Sequence, residues 1–268
     1  MSALSVRIEG LGCWMPGFVD WPALRAGLRG EAEADPNVAA RPNPALLPPA
    51  ERRRAPQPVL LACEVAAQAC AAAQRAPAEL ASVFASTHGD LLITDYMCAT
   101  LASAPRELSP VRFHNSVHNA PAGYWTIAAH CHAASTSVSA FKASFAAALF
   151  EAAVQVHAEG EPVLLVAYDT ESAGPLQDVS ASHSMFGTAL VLAAADKADS
   201  SLRLTWSATP CATEPRDTPW PPGFAESFAH NPMAAGALPL LAALATRARQ
   251  SLRLPASINS TVEVEWTA

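Results

Sequence analysis

Apolar residues alternate with polar ones in some segments of the chain and recur at helical spacing in others. Residues 6–12 alternate and end on glycines, as an opening strand does. Asp20 is a preferred N-cap residue and predicts a helix from Trp21 towards Leu28. Further helices are predicted over residues 59–74, 91–104, 122–129, 137–159 and 239–252, and further strands over residues 81–86, 162–168, 188–194 and 202–206. Strands that alternate with long helices predict an α/β fold with helices on both faces of a sheet.

Two of these elements are predicted to form the centre of the protein. Residues 137–159 are the longest helical stretch, and they carry apolar side chains at three- and four-residue spacing with mostly Ala and Ser elsewhere. This composition predicts a helix that is buried nearly all round. Residues 162–168 form a continuous apolar run, which is typical of a strand covered on both faces.

Proline-rich segments interrupt the predicted elements twice. Residues 35–58 hold seven prolines, and we predict an extended surface loop there without regular helix. Residues 210–222 are a second such stretch. The last helix is predicted to begin with Pro239 in its first turn, where proline is tolerated.

Composition places the chain among globular proteins and excludes some functions. Of its 268 residues, 51% are hydrophobic and 15% are charged, so the chain can bury a substantial core. The formal net charge is −7, the sign opposite to that of proteins that bind nucleic acid through phosphate contacts. The basic run at residues 52–54 is short and flanked by a glutamate and prolines, so no nucleic-acid partner is expected.

Sequence features that direct a protein out of the cytoplasm are not found. Residues 1–13 lack a basic region followed by an apolar stretch, and the longest apolar runs are interrupted by charges or too short to span a bilayer. The six cysteines are scattered and form no Cys-x-x-Cys pair, which favours reduced, buried thiols. We therefore predict a cytoplasmic protein without a membrane span.

The segment before the longest helix carries the most informative chemistry. A loop rich in Asn, His and small residues leads into Ala133-Ala134-Ser135-Thr136-Ser137, which precedes the predicted buried helix. A sharp turn into the N-terminus of a buried helix is a natural nucleophile position. Backbone N–H groups and the helix dipole there lower the pKa of a thiol or hold an oxyanion.

At this point the sequence resembles the thiolase-fold β-ketoacyl synthases, and among them the short chain length factors of bacterial aryl-polyene pathways. The resemblance lies in residues 52–56, 83–90, 109–125, 163–169 and 186–192. It spans roughly residues 5–195, the core of a single domain that takes in the whole chain. It implies a thiolase-like N-terminal half with a mixed sheet, a truncated second half, and a proline-rich and helical extension over residues 200–268.

The sequence departs from an active synthase at the predicted turn. In ketosynthases this turn carries an acyl-accepting Cys within Ala-Cys-Ser-Ser-Ser. Aligned on residues 133–137, the motif puts Ala134 in the position of the Cys, followed by Ser135 and Thr136. A methyl group can neither ionise nor form a thioester, so we expect no catalytic residue at this degenerate turn. Cys131 lies three positions earlier and is not expected to replace the missing thiol.

The resemblance also implies what the protein works with. Ketosynthases take two catalytic histidines from their second half, whereas residues 196–268 contain only His230, so the chain is not expected to be active alone. It would instead be a chain length factor that forms a heterodimer with a full-length ketosynthase and acts with an acyl carrier protein, without a cofactor. The products implied are aryl polyenes, polyketides or fatty acyl chains.

Five side chains are candidates for lining the acyl tunnel or the subunit interface. They are Phe113, Asn115, His118, Phe141 and Phe145. The simpler interpretation is that the two polar residues bond to the backbone of a buried loop and that the last two phenylalanines are core residues at helical spacing.

Two other interpretations stay open. The first is an acyltransferase or hydrolase that uses Ser135 or Cys131 with His130 or His132, and the second is a structural homo-oligomer without a biosynthetic role. A zinc site formed by these histidines is not expected, because they lie on irregular backbone without a carboxylate in the motif.

Overall fold

The computed structural model describes residues 3–38, 41–178, 180, 182–195, 201–211, 220–221, 223–247 and 251–267. Its strands are β1 (Leu4–Trp14), β2 (Ala81–Ala85), β3 (Ser135–Val138), β4 (Val163–Asp169), β5 (Phe186–Ala194), β6 (Ser201–Ser207), β7 (Ser251–Ser257) and β8 (Ser260–Thr267). Its α-helices are α1 (Trp21–Leu28), α2 (Pro49–Arg54), α3 (Gln57–Ala73), α4 (Leu91–Ser103), α5 (Pro110–Asn115), α6 (Ala120–Ala128), α7 (Ser144–Glu159), α8 (Phe224–His230) and α9 (Pro232–Thr246).

All eight strands belong to one mixed sheet in the order β3-β2-β4-β5-β1-β6-β8-β7. Strand β2 runs parallel to β3 and β4, and each of the other neighbouring pairs is antiparallel. Every residue of β4 is buried, as the continuous apolar run predicts. The carboxyl ends of β2, β3 and β4 therefore lie together at one end of the sheet, where functional groups can meet.

The two faces of the sheet are covered by different helices. Helices α3 and α6 pack on one face and form one hydrophobic cluster with it. Helices α7, α9 and α1 pack on the other face and form a larger cluster. Helix α7 contacts β2 and β4 in one half of the sheet and also β7 and β8 in the other half. The sheet therefore curves around α7, which explains why this helix is so rich in alanine.

Local sequence signals predict much of this architecture correctly. The Asp20 side chain accepts a hydrogen bond of 2.8 Å from the backbone N–H of Ala23 and caps α1, as predicted. Helix α3 and strands β1, β2, β5 and β6 also lie where the patterns place them. Among the described residues, no helix has the length and apolar character needed to cross a bilayer.

The predicted helix over residues 137–159 is wrong at its N-terminal end. Strand β3 occupies Ser135–Val138, and α7 begins only at Ser144. The strand has few apolar residues and no alternation of its own. It forms because parallel pairing with β2 satisfies its backbone, a tertiary contact that overrides local periodicity.

The first proline-rich segment is also more ordered than predicted. It contains the six-residue helix α2, with Pro48 at the N-cap and Pro49 in the first turn, and α3 begins at Gln57 after Pro56. Proline is compatible with a helix start because the N–H it lacks has no partner there in any case. In the second proline-rich segment, residues 212–219 and 222 lie outside the described residues.

The C-terminal part of the chain differs most from the prediction. Helix α9 begins at Pro232, capped by Asn231, and Pro239 lies inside it rather than in its first turn. The predicted end of this helix is wrong, since Leu252 belongs to β7. The predicted helical extension thus supplies the hairpin β7–β8, which continues the sheet beyond β6 and adds side chains to the core around α7.

Two glycines of β1 allow the strand to pack directly on the backbone of α3. A Cβ at Gly10 would collide with the carbonyl oxygen of Ala69, and one at Gly12 would collide with that of Val65. Helical backbone cannot shift as a flexible side chain can. The closeness of strand and helix therefore depends on these two positions.

We predict that Gly12→Ala lowers the free energy of unfolding by about 1–3 kcal/mol, because overpacking must push α3 away from the sheet. Gly123→Ala in α6 is the matched control, since a Cβ there meets no atom within 4 Å. The control should be neutral or stabilising by up to about 1 kcal/mol. Denaturant unfolding measures both, and equal effects of the two variants would contradict the packing described.

Candidate functional site

A tight bend joins β3 to the buried helix α7. Phe141 stands at its apex with φ of +52°, in the left-handed region that a phenylalanine rarely adopts. The hydroxyl of Ser144 donates to the carbonyl oxygen of Phe141 at 2.6 Å and accepts from the N–H of Ala140 at 2.9 Å. These two bonds hold the strand-to-helix turn closed. A bend of this kind presents its apical side chain at the N-terminus of a buried helix.

The Phe141 side chain projects outward rather than into the core. The residue is 52% exposed. Its ring packs edge to face against the imidazole of His88, with the ring centroids 5.4 Å apart. The Lys142 ammonium lies 5.8 Å from the ring centroid. Holding a side chain other than glycine at this φ costs about 1–2 kcal/mol. Such strain is typical of functional positions.

The predicted position of the turn at Ala134, Ser135 and Thr136 is wrong. Ser135 and Thr136 pair with Ser82 and Val83 within the sheet, and the carbonyl oxygen of Ala134 accepts from the N–H of Ser82. The turn follows the strand rather than preceding it. The predicted turn is misplaced because the sequence pattern gives no sign of β3.

The position of the observed turn fits a different alignment of the motif. Ala140-Phe141-Lys142-Ala143-Ser144 shares the first Ala and the last Ser of Ala-Cys-Ser-Ser-Ser and directly precedes the uninterrupted helix. In this alignment Phe141 takes the position of the Cys. The side chain at the bend is again one that cannot ionise or form a thioester, and it is a different residue from the one the sequence predicts.

A buried carboxylate supports the bend from the ends of β2 and β4. Asp169 accepts hydrogen bonds from the hydroxyl of Ser86 at 2.8 Å and from the N–H and hydroxyl of Thr87 at 2.8 and 2.6 Å. The hydroxyl of Ser139, just before the bend, donates to the carbonyl oxygen of Thr87 at 2.9 Å. Burial raises the pKa of Asp169 above its ordinary value, and the hydroxyl and amide donors oppose this shift. The network fixes β3 and the bend relative to β2 and β4.

The five candidate tunnel or interface residues fall into different environments. Phe113 is 59% exposed on α5, and Phe141 is exposed at the bend. Asn115 is buried with its side-chain oxygen unpaired, and the Nε2 of His118 lies 3.0 Å from the carbonyl oxygen of Ser86. Phe145 is a core residue of α7 that packs against Gly236. The structure therefore leaves Phe113 and Phe141 as the two side chains available to a partner.

The residues of the alternative enzyme mechanism are not arranged for catalysis. The thiol of Cys131 is buried and donates to the carbonyl oxygen of Leu80 at 3.4 Å. The hydroxyl of Ser135 accepts from that of Ser82 at 3.1 Å. Within the described part of the chain, neither residue is hydrogen-bonded to a histidine, and no three His, Cys, Asp or Glu side chains are grouped to hold a metal ion.

Exposed apolar side chains are concentrated between β2 and β3 in the chain. They lie on α4, on α5, on the turn after it and on α6. Those with the largest exposed fractions are Leu101, Val111, Phe113, Val117 and Ile127. We call these five residues the apolar surface. Strand β3 forms one edge of the sheet, with one side unpaired among the described strands. An edge strand together with exposed apolar residues is typical of a protein–protein interface.

Comparison with known proteins identifies the family. The model of the β-ketoacyl synthase N-terminal domain matches residues 28–252. The chain therefore belongs to the β-ketoacyl synthase family, and the resemblance found in the sequence is confirmed. No curated protein sequence matches the chain.

Solved structures confirm the thiolase-like fold. A chain in the complex of the ketosynthase ApeO with its chain length factor ApeC from Xenorhabdus doucetiae is similar at 24% identity and a TM-score of 0.71, with 98% of this chain and 99% of that chain covered. A chain of the type II polyketide synthase complex AntDE:AntF, a carrier protein with its ketosynthase, gives 13% identity and a TM-score of 0.72, with both chains fully covered. The ishigamide ketosynthase/chain length factor gives 15% identity, a TM-score of 0.67, and coverage of 98% and 99%.

We predict that a thiol introduced at the bend is activated by the N-terminus of α7. In a chain with Cys98→Ser and Cys211→Ser, Phe141→Cys should react with iodoacetamide with a thiol pKa below the ordinary value of about 8.5. Ser135→Cys, on the exposed edge strand, is the matched control and should keep an ordinary thiol pKa. The pH dependence of alkylation, followed by intact mass, measures both. Equal thiol pKa values would contradict the bend at Phe141.

Proposed function

We propose that this chain is a non-catalytic chain length factor that forms a heterodimer with a complete, Cys-bearing ketosynthase. The observation that carries the proposal is Phe141 at the apex of the bend. The architecture that would present an acyl-accepting thiol is kept, but the side chain has no ionisable group. The partner would therefore perform the decarboxylative condensation on units delivered by an acyl carrier protein in the cytoplasm.

The sheet edge at β3 and the apolar surface support a partner of the same fold. The unpaired backbone groups of β3 match those of another edge strand, so two subunits pairing there would extend one sheet into the other. Ile127 is 78% exposed, and burying such side chains in a dimer is favourable by about 25 cal/mol per Å². The ApeO–ApeC and ishigamide structures hold a ketosynthase with its chain length factor.

Phe113 and Phe141 would provide the wall that limits the growing chain. Both side chains are exposed in the isolated subunit, Phe113 on α5 and Phe141 at the bend that follows β3. In a heterodimer they would face the partner, where rigid aromatic rings can close the end of an acyl tunnel. The product would be a polyketide or aryl-polyene type of acyl chain, whose number of two-carbon extensions depends on the space these rings leave.

If the ketosynthase binds at the apolar surface, a charged side chain introduced there should weaken the binding. Ile127→Glu should weaken binding to the ketosynthase at least tenfold, which corresponds to about 1.4 kcal/mol, because a carboxylate would be buried without a partner. Ile258→Glu is the matched control, since Ile258 is 89% exposed at the turn between β7 and β8, at the opposite edge of the sheet. Co-purification followed by titration in a sedimentation experiment measures both variants.

Equal weakening by both substitutions would contradict the proposed surface. A chain that forms a stable homodimer and does not exchange it for a ketosynthase would contradict the heterodimer itself. That second result would favour the structural homo-oligomer instead.

A further inference from the structure

An open cavity lies away from the bend, between α1, α9 and the middle of β1. Its volume is about 600 Å³, within the range of pockets that hold small molecules. It opens where β1 continues past its short pairing with β6, which involves only Leu4, Ser5 and Val6. Neither the bend nor the Asp169 network contributes to its described lining.

Three arginines converge on this cavity. Arg25 and Arg29 are one helical turn apart on α1, and Arg247 terminates α9. The carboxylate in the described lining is Glu9, which is already bound by Arg7 at 2.6 Å and by Arg75 at 2.8 Å. The cavity is therefore positively charged, although the whole chain has a net charge of −7.

Only one of these arginines has a clear structural role. The Nε of Arg29 donates to the carbonyl oxygen of Ala245 at 2.6 Å, which ties α1 to the end of α9. The side chains of Arg25 and Arg247, both on exposed residues, make no hydrogen bond or ion pair with the described residues. Two guanidinium groups that face a cavity without partners are suited to bind an anion, and their planar donor geometry fits phosphate or carboxylate.

Two tryptophans complete the lining. Trp21 begins α1 and Trp266 lies near the end of β8, and both are half-buried. Indole faces stack on planar rings. This combination favours a ring-bearing ligand over a simple inorganic anion.

We propose that this cavity binds a phosphate ester that carries a planar ring, the chemistry of a nucleotide. The guanidinium groups of Arg25 and Arg247 would hold the phosphates, and the tryptophans would contact the ring. This site is independent of the bend and of the proposed heterodimer. It would give the subunit a small-molecule ligand of its own.

Calorimetric titration of the full chain with ADP, adenosine and pyrophosphate tests the proposal. ADP should bind at one site about tenfold more tightly than either adenosine or pyrophosphate, because only ADP engages both the arginines and the ring contacts. Arg25→Gln and Arg247→Gln should each weaken ADP binding about fivefold or more. Arg53→Gln, which removes an exposed arginine of α2, is the matched control and should leave the affinity unchanged.

Three results would overturn the proposal. If pyrophosphate binds as tightly as ADP, no ring is recognised. If Arg53→Gln weakens binding as much as the other two substitutions, the anion is attracted by overall charge and not by a defined site. Finally, no heat of binding for ADP at millimolar concentration would exclude the nucleotide class. Thermal unfolding of each variant shows whether the fold is kept. Arg247→Lys keeps the positive charge and removes only the planar guanidinium group, so it separates the loss of that contact from the loss of the charge.

Discussion

Helix α7 packs against both halves of the sheet, and the rest of the structure is arranged around this constraint. Half of its residues are buried, fewer than the sequence predicts, and its last turn is exposed. A helix that contacts both halves of one sheet needs small side chains, which is why alanine dominates it. Strands β7 and β8 contact α7 as β2 and β4 do. The hairpin β7–β8 thus adds a second half of the sheet to the surface that covers this helix.

The same constraint gives the bend its chemical meaning. A chain that enters a buried helix directly from an edge strand must turn within a few residues, and Phe141 takes the left-handed conformation that this requires. Ser144 and the Asp169 network hold the turn in place. In a catalytic subunit this rigidity would position a thiol. Here it positions the exposed aromatic ring of Phe141, which is the observation behind the proposed non-catalytic role.

The sequence predicts those elements whose signals are local. The apolar run of β4 and the cap at Asp20 lie within a few residues and are found correctly. Strand β3 is short, polar and exposed, and only its pairing with β2 defines it, so neither the strand nor the bend after it can be located from periodicity. The sequence therefore places the turn at Ala134, whereas the structure places it at Phe141.

Features built from distant parts of the chain are beyond such patterns altogether. The hairpin β7–β8 becomes recognisable only as the continuation of a sheet that begins at β1. The arginine-lined cavity joins Arg25 to Arg247, more than two hundred residues apart in the chain. Neither residue carries a motif of its own, and their shared orientation arises from the packing of α1 on α9.

The central claim is that the bend of this subunit accepts no acyl group. Intact mass spectrometry of both subunits, after the heterodimer is incubated with an isotopically labelled acyl carrier protein, tests it most directly. The account predicts an acyl adduct on the ketosynthase and an unmodified mass for this chain. A labelled adduct on this chain, mapped by peptide analysis to residues 139–144, would contradict it.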